Sequence, residues 1–100
     1  MAQAKVMPGV CGLETVLTAR MVDSDTAELQ AESDCELVQC AVDALGTVNV
    51  IEAVSSDCVA AACRRAGMHP ACPIPCAIVK TVEVAAGLAL PGSVRIDFTP

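Results

Sequence analysis

Seven cysteines and a single histidine are the residues of this 100-residue chain best suited to chemistry. His69, Cys72 and Cys76 share one proline-rich stretch, His69-Pro70-Ala71-Cys72-Pro73-Ile74-Pro75-Cys76. Cys35 and Cys58 each close a Ser-Asp-Cys triplet, and each is followed by a further cysteine, Cys40 and Cys63, after the same interval. Cys11 sits between Gly9 and Gly12, where a backbone can curl round an ion. Cys35, Cys58 and Cys72 lie at or just before expected helix N-termini. Exposed amides and the positive end of the helix dipole favour an anion there. A thiol so placed tends towards thiolate, the form that binds soft metals and attacks electrophiles.

Three chemistries fit these residues. Thiolates of Cys11, Cys35 and Cys72, completed by His69, Cys76 or Cys58, would make a four-ligand site for zinc or an iron–sulfur cluster. Such a site would serve electron transfer, metal carriage or sensing. Pro70, Pro73 and Pro75 would pre-set its backbone. Against this, the chain contains no Cys-x-x-Cys, and so neither a zinc-knuckle nor a ferredoxin spacing. The second reading is a non-catalytic structural or interaction domain with reduced core cysteines. Cys40 and Cys63 then act as small buried hydrophobes on apolar helix faces. Cys35 and Cys40 are about 140° apart round a helix, a poor geometry for gripping one ion together. The third is thiol-redox chemistry. Cys76 and Lys80 are one helical turn apart, so the lysine could favour the thiolate, with Cys72 as resolving partner. In that stretch the structural alternative is plain: Lys80 solvates an outer face, and His69 caps or packs at a turn.

Composition removes other classes. The net charge is −6, and the six cations are scattered, only Arg64 and Arg65 being adjacent. Phosphate backbones need clustered cations, so nucleic acid is not an expected partner. Phe98 is the only aromatic, which leaves little for stacking on bases or sugars. Gly9-Val10-Cys11-Gly12 lacks both the spacing and the lysine of a phosphate loop. His69 has no evident serine or aspartate partner for hydrolysis. Residues 84–90 are too short to span a bilayer, and the N-terminus has no continuous apolar run like a signal peptide's. A cytoplasmic location and reduced thiols are therefore expected, since seven is also an awkward number for a disulfide framework.

The elements that must position these residues can be read from hydrophobic periodicity. Residues 1–12 read as an irregular lead-in. Residues 14–22 and 26–32 alternate apolar and polar around Asp23-Ser24-Asp25, which predicts an antiparallel hairpin with Leu17, Ala19 and Met21 on one face. Ser33 and Glu36 match a capping box opening a helix whose apolar face is Leu37, Cys40, Ala41, Ala44 and Leu45, ended by Gly46. Residues 48–54 read as a short strand or connector. A second helix begins at Ser55 or Ser56, with Val59, Ala62, Cys63 and Ala66 on one face. A third runs from about Pro75 to Leu90, with Ile78, Val82, Ala85, Ala86 and Ala89 inward and Lys80, Thr81 and Glu83 outward. Ser93–Phe98 alternates again and predicts a closing strand.

This is a single α+β domain: a hairpin, two to three helices on one face of a small sheet, and a closing C-terminal strand. The other face, with Val16, Thr18 and Val22, is apolar enough for a homodimer. A hairpin brings Cys11 and Cys35 to the same end of the sheet. Cys72 joins them if the closing strand pairs antiparallel with the first hairpin strand or parallel with the second. Antiparallel pairing with the second would send it to the far end.

Cys11-Gly12-Leu13-Glu14-Thr15, Ser33-Asp34-Cys35 and the run from Ala71 to Val94 together resemble a small uncharacterised family of single-domain proteins from anaerobic bacteria and archaea. The resemblance covers most of the chain. It implies no established activity, substrate or cofactor. Cys11, Cys35, Cys72 and Pro73 match its motif positions; Cys40, Cys58, Cys63 and Cys76 do not. An anaerobic setting would suit a cysteine-rich, reduced protein.

Overall fold

The lead-in is a strand. In the computed structural model, which describes residues 1–100, Ala2–Val6 (β1) pairs antiparallel with Thr15–Met21 (β2), Ala4 lying opposite Leu17. The breakers Pro8, Gly9 and Gly12 fall after it, in the connection to β2, so they end a strand that the alternation of Ala2, Ala4 and Val6 had already built. The expected hairpin forms between β2 and Thr26–Ser33 (β3), with Ala19 opposite Leu29 and Arg20 opposite Glu28. At its tip the Val22 amide donates to the Thr26 carbonyl at 3.0 Å, and the Asp25 amide to Asp23 Oδ1 at 3.0 Å. That Asp25 amide is the main cause holding the Asp23 carboxyl below its ordinary pKa.

Glu36–Leu45 (α1) follows, then Thr47–Asn49 (β4), Val50–Ser55 (α2), Cys58–Arg65 (α3) and Ile74–Ala85 (α4). β4 pairs antiparallel with β3, giving an antiparallel sheet in the order β1-β2-β3-β4. The segment 48–54 thus divides into a strand and a helical turn. Asn49 ends the one and caps the other, its Oδ1 accepting the Glu52 amide at 3.0 Å. Replacing Asn49 by alanine is expected to cost about 0.5–2 kcal/mol, with glycine recovering most of it. Thermal unfolding of the three proteins checks this.

α3 and α4 stop in the same way. Gly67 (φ 91°) and Gly87 (φ 74°) enter the left-handed region that favours glycine. The next amide then returns to a carbonyl five residues back: Met68 to Cys63 at 3.1 Å, and Leu88 to Glu83 at 2.8 Å. α4 therefore ends at Ala85 rather than Leu90.

The helices cover one face of the sheet. Leu17, Ala19, Ala27 and Leu29 meet Val38 and Val42 of α1, Val59 and Cys63 of α3, and Ile74, Ile78 and Val82 of α4 in one continuous core. Aliphatic and sulfur side chains fill it, as the near-absence of aromatics requires. Thr81, expected to face water, is buried, and its hydroxyl donates to the Ala77 carbonyl one turn back. The uncovered face carries Gln3, Lys5, Val16, Thr18, Arg20 and Glu28 at alternating positions.

The expected closing strand is absent. Residues 91–100 form neither strand nor helix, and no residue after Leu88 takes part in a backbone hydrogen bond. Val94, Ile96 and Phe98 are 63%, 72% and 93% exposed. An alternating pattern makes a strand only when a neighbouring edge completes the ladder, and here the tail has none.

Candidate functional site

The two Ser-Asp-Cys triplets do the same local work. Ser33 Oγ accepts the Cys35 amide at 3.1 Å, and Ser56 Oγ accepts the Cys58 amide at 3.3 Å. Each turn delivers its cysteine to the start of a helix, Cys35 as the N-cap of α1 and Cys58 as the first residue of α3. The capping box expected of Ser33 and Glu36 is replaced by a wider arrangement: Gln39 Oε1, from within α1, accepts the Ser33 amide at 3.3 Å. Ser33 Oγ also lies 2.6 Å from Thr15 Oγ1 across the hairpin, tying the start of α1 to the start of β2.

Cys72 occupies the third helix entrance. Its amide donates to the His69 carbonyl at 3.2 Å, and Pro73 caps α4 with Pro75 in its first turn. The stretch from His69 to Cys76 is thus a stiff turn into a helix, with His69 and Cys76 exposed. At the level of whole elements Cys11, Cys35 and the proline corner approach one rim, while Cys58, at the start of α3, follows the β4 end of the sheet. Val6, Thr15 and Ser33 are successive partners across the sheet, so the loop bearing Cys11 and the turn bearing Cys35 lie at the same end. Gly67, at the mouth of the proline corner, abuts the first turn of α1, where a Cβ would stand 3.8 Å from Leu37 Cδ2.

Sharing a rim is not convergence. No three cysteine, histidine, aspartate or glutamate side chains come together in a way that could hold a metal ion. Cys11 is exposed in its loop, whereas Cys35, Cys58 and Cys72 are half-buried and pack against the hydrophobic core. All seven thiols are free. Cys63 is buried as expected from its helix face. Its thiol is pushed above the ordinary pKa of 9.0, first by burial and then by the nearby Cys72. Cys40, expected to be buried, is exposed. α1 is apolar on two adjacent stripes, and the one that packs is Val38, Ala41 and Val42, leaving Leu37, Cys40 and Ala44 outward. Lys80, one turn from Cys76 on α4, is exposed and takes part in none of the four surface ion pairs.

Two hollows lie on the surface. One is bounded by Gln3, Val16, Thr18, Gln30 and Glu32 on the uncovered face, the other by Glu14, Glu32, Ser33, Asp34 and Gln39. Neither is lined by a cysteine or by His69. No helix is long and apolar enough to cross a membrane.

A family model matches residues 2–98. The chain belongs to DUF6951, a family of unknown function. No curated protein matches the DUF6951 chain, and no solved structure does. The match takes in β1 at one end and the exposed tail, through Phe98, at the other. The tail therefore belongs to the DUF6951 unit. Its signal in the sequence is the alternation of Val94, Ile96 and Phe98.

Proposed function

We propose that this DUF6951 chain is a non-catalytic binding domain whose contact element is its C-terminal tail, and whose inner cysteines serve as reduced packing residues. The observation that carries this reading is the tail itself. Three large apolar side chains at strand spacing stand largely in water on a segment that makes no backbone hydrogen bond. Exposed apolar surface of this kind, on a backbone with its amides and carbonyls free, suits partner binding by strand addition. The packing of Cys35, Cys58, Cys63 and Cys72 on the core supports the role given to those thiols. With a net charge of −6 the fitting partner is a protein, not a nucleic acid.

Zinc or iron–sulfur binding at Cys11, Cys35 and Cys72, with His69, Cys76 or Cys58 as further ligand, is the reading that competes. It would need side chains at one rim to be drawn into a common shell on binding. One preparation separates the two. Anaerobically purified protein is expected to carry neither stoichiometric zinc or iron nor visible cluster absorbance. A chain ending at Leu90 is expected to melt within about 2 °C of the full chain, because an unpaired tail contributes little to the core. A fall of more than about 4 °C, the size expected of a 1 kcal/mol structural role, would return the tail to its own fold. Stoichiometric metal would restore the thiolate site.

A further inference from the structure

We infer that the tail's partner is a second copy of the same chain: residues 94–98 of each copy add a fifth strand to the open edge of β1 in the other. This rests on the reading of the tail as the binding element and names what it binds.

The sheet has two open edges, β1 and β4. β4 is three residues long and runs directly into α2, whereas β1 offers five residues. An edge strand presents unpaired amides and carbonyls, the template that an extended segment completes. β1 also carries the matching alternation. Ala2, Ala4 and Val6 lie towards the helices, and Gln3 and Lys5 lie on the uncovered face. In the tail Val94, Ile96 and Phe98 form one row, and Arg95 and Asp97 the other.

Charge selects the register. Setting Asp97 opposite Lys5 pairs opposite charges and places Ile96 and Phe98 beside Ala4 and Val6, whether the added strand is parallel or antiparallel. The apolar row then continues the layer beneath α4, which packs over β1 and β2. In the parallel sense all five residues of β1 are matched, Val94 to Ala2 through Phe98 to Val6. Setting Arg95 opposite Lys5 would oppose like charges. Asp97 is held meanwhile only by its neighbour Arg95, at 2.9 Å on the exposed tail.

A second copy fits this edge by symmetry. Each chain has one free tail and one free β1 edge, so a two-fold exchange satisfies both tails and both edges with one repeated contact. The tail leaves α4 through Pro91 and Gly92 without a backbone hydrogen bond to its own sheet, which leaves its amides and carbonyls available to a neighbour.

Light scattering across a concentration series tests this, together with zero-length carbodiimide coupling of lysine to carboxylate and mass mapping. The full chain is expected to reach twice its 10.2 kDa mass as concentration rises. Ile96→Lys, or a chain ending at Leu90, is expected to lose the dimer while its circular dichroism is kept. A Lys5–Asp97 link is expected in the dimer-sized product. In Phe98→Trp, the only tryptophan of the chain, emission is expected to shift to the blue with concentration. A full chain that stays at 10.2 kDa up to its solubility limit overturns the inference. So does a Lys5–Asp97 link confined to the monomer-sized product, which would mean closure on the chain's own edge. Monomeric mass with an unchanged melting temperature on tail removal overturns this inference alone and leaves the tail to another protein. A melting temperature that falls on removal from a monomer overturns the binding reading as well.

Discussion

Ile78→Ala is expected to lower the unfolding free energy by about 2–5 kcal/mol. Ile78 is 1% exposed on α4 and is one of only two isoleucines in a 16-residue core cluster that contains no aromatic. In such a core each large aliphatic side chain supplies a large share of the buried area, and few neighbours are bulky enough to collapse into the space left. A domain of this size holds about 5–15 kcal/mol in total, so the variant is expected to lose at least about 8 °C of melting temperature. The urea midpoint should fall with little change in slope, because the surface exposed on unfolding is nearly the same. Ile78→Val is expected to cost about 0.5–1.5 kcal/mol. Ile51→Ala makes the same chemical change at a 62% exposed position of α2 and should stay within about 0.5 kcal/mol. Equal losses at the two positions would contradict the placement of α4 over the sheet.

The second large effect concerns Cys63, 1% exposed on α3. If its thiol is a packing residue, Cys63→Ala should cost about 1 kcal/mol for the apolar volume removed. Cys63→Ser should cost about 1–3 kcal/mol, because a hydroxyl then replaces the sulfur in an apolar site. Back-bonding to the Val59 carbonyl, one turn earlier, would keep the loss towards the lower end. The thiol's raised pKa gives a pH dependence with a definite sign. Folded Cys63 holds its proton to a higher pH than the unfolded chain does, so the stability it contributes is intact below the unfolded value of 9.0 and lost as pH rises beyond it. Urea midpoints measured at about pH 8 and about pH 10 should therefore diverge more in the parent than in Cys63→Ala. No loss of stability in Cys63→Ala, or equal alkaline losses in both proteins, would remove the packing role.

These tests bear on the functional reading because they separate a cysteine held by packing from one held for reaction. Cys35, Cys58 and Cys72 sit at helix entrances, where thiolates are favoured in principle. Each instead packs against the same core as Cys63. The serine–cysteine turns at Ser33 and Ser56 account for the repeated triplet as a way of starting helices.

Much of the fold was legible along the chain. Strict alternation fixed the β2–β3 hairpin to within a residue at most ends and its buried face without error, because a slip of one residue would have turned Leu17, Ala19 and Leu29 to water. The face of α3 and the inward Ile78 and Val82 of α4 followed from helical spacing for the same reason. α1 was harder. Its two adjacent apolar stripes satisfy the same period, and only packing against β3 chose Val38 and Val42 over Leu37 and Cys40.

Local pattern determined the β2–β3 hairpin and, to within a few residues, the starts of α1, α3 and α4, while β1 and α2 escaped it. It could not determine partners. The edge beside β2 is filled by β1, a five-residue strand masked by the glycines and proline that follow it, and so the tail, though patterned as a strand, is left without a neighbour. The cysteines illustrate the same limit. Connectivity brings Cys11 and Cys35 to one rim, but whether sulfur atoms converge depends on side-chain packing over several ångströms, and here the core takes up the half-buried thiols. Strand pairing and thiol convergence are contacts between residues distant in the chain, and only the tertiary structure decides them.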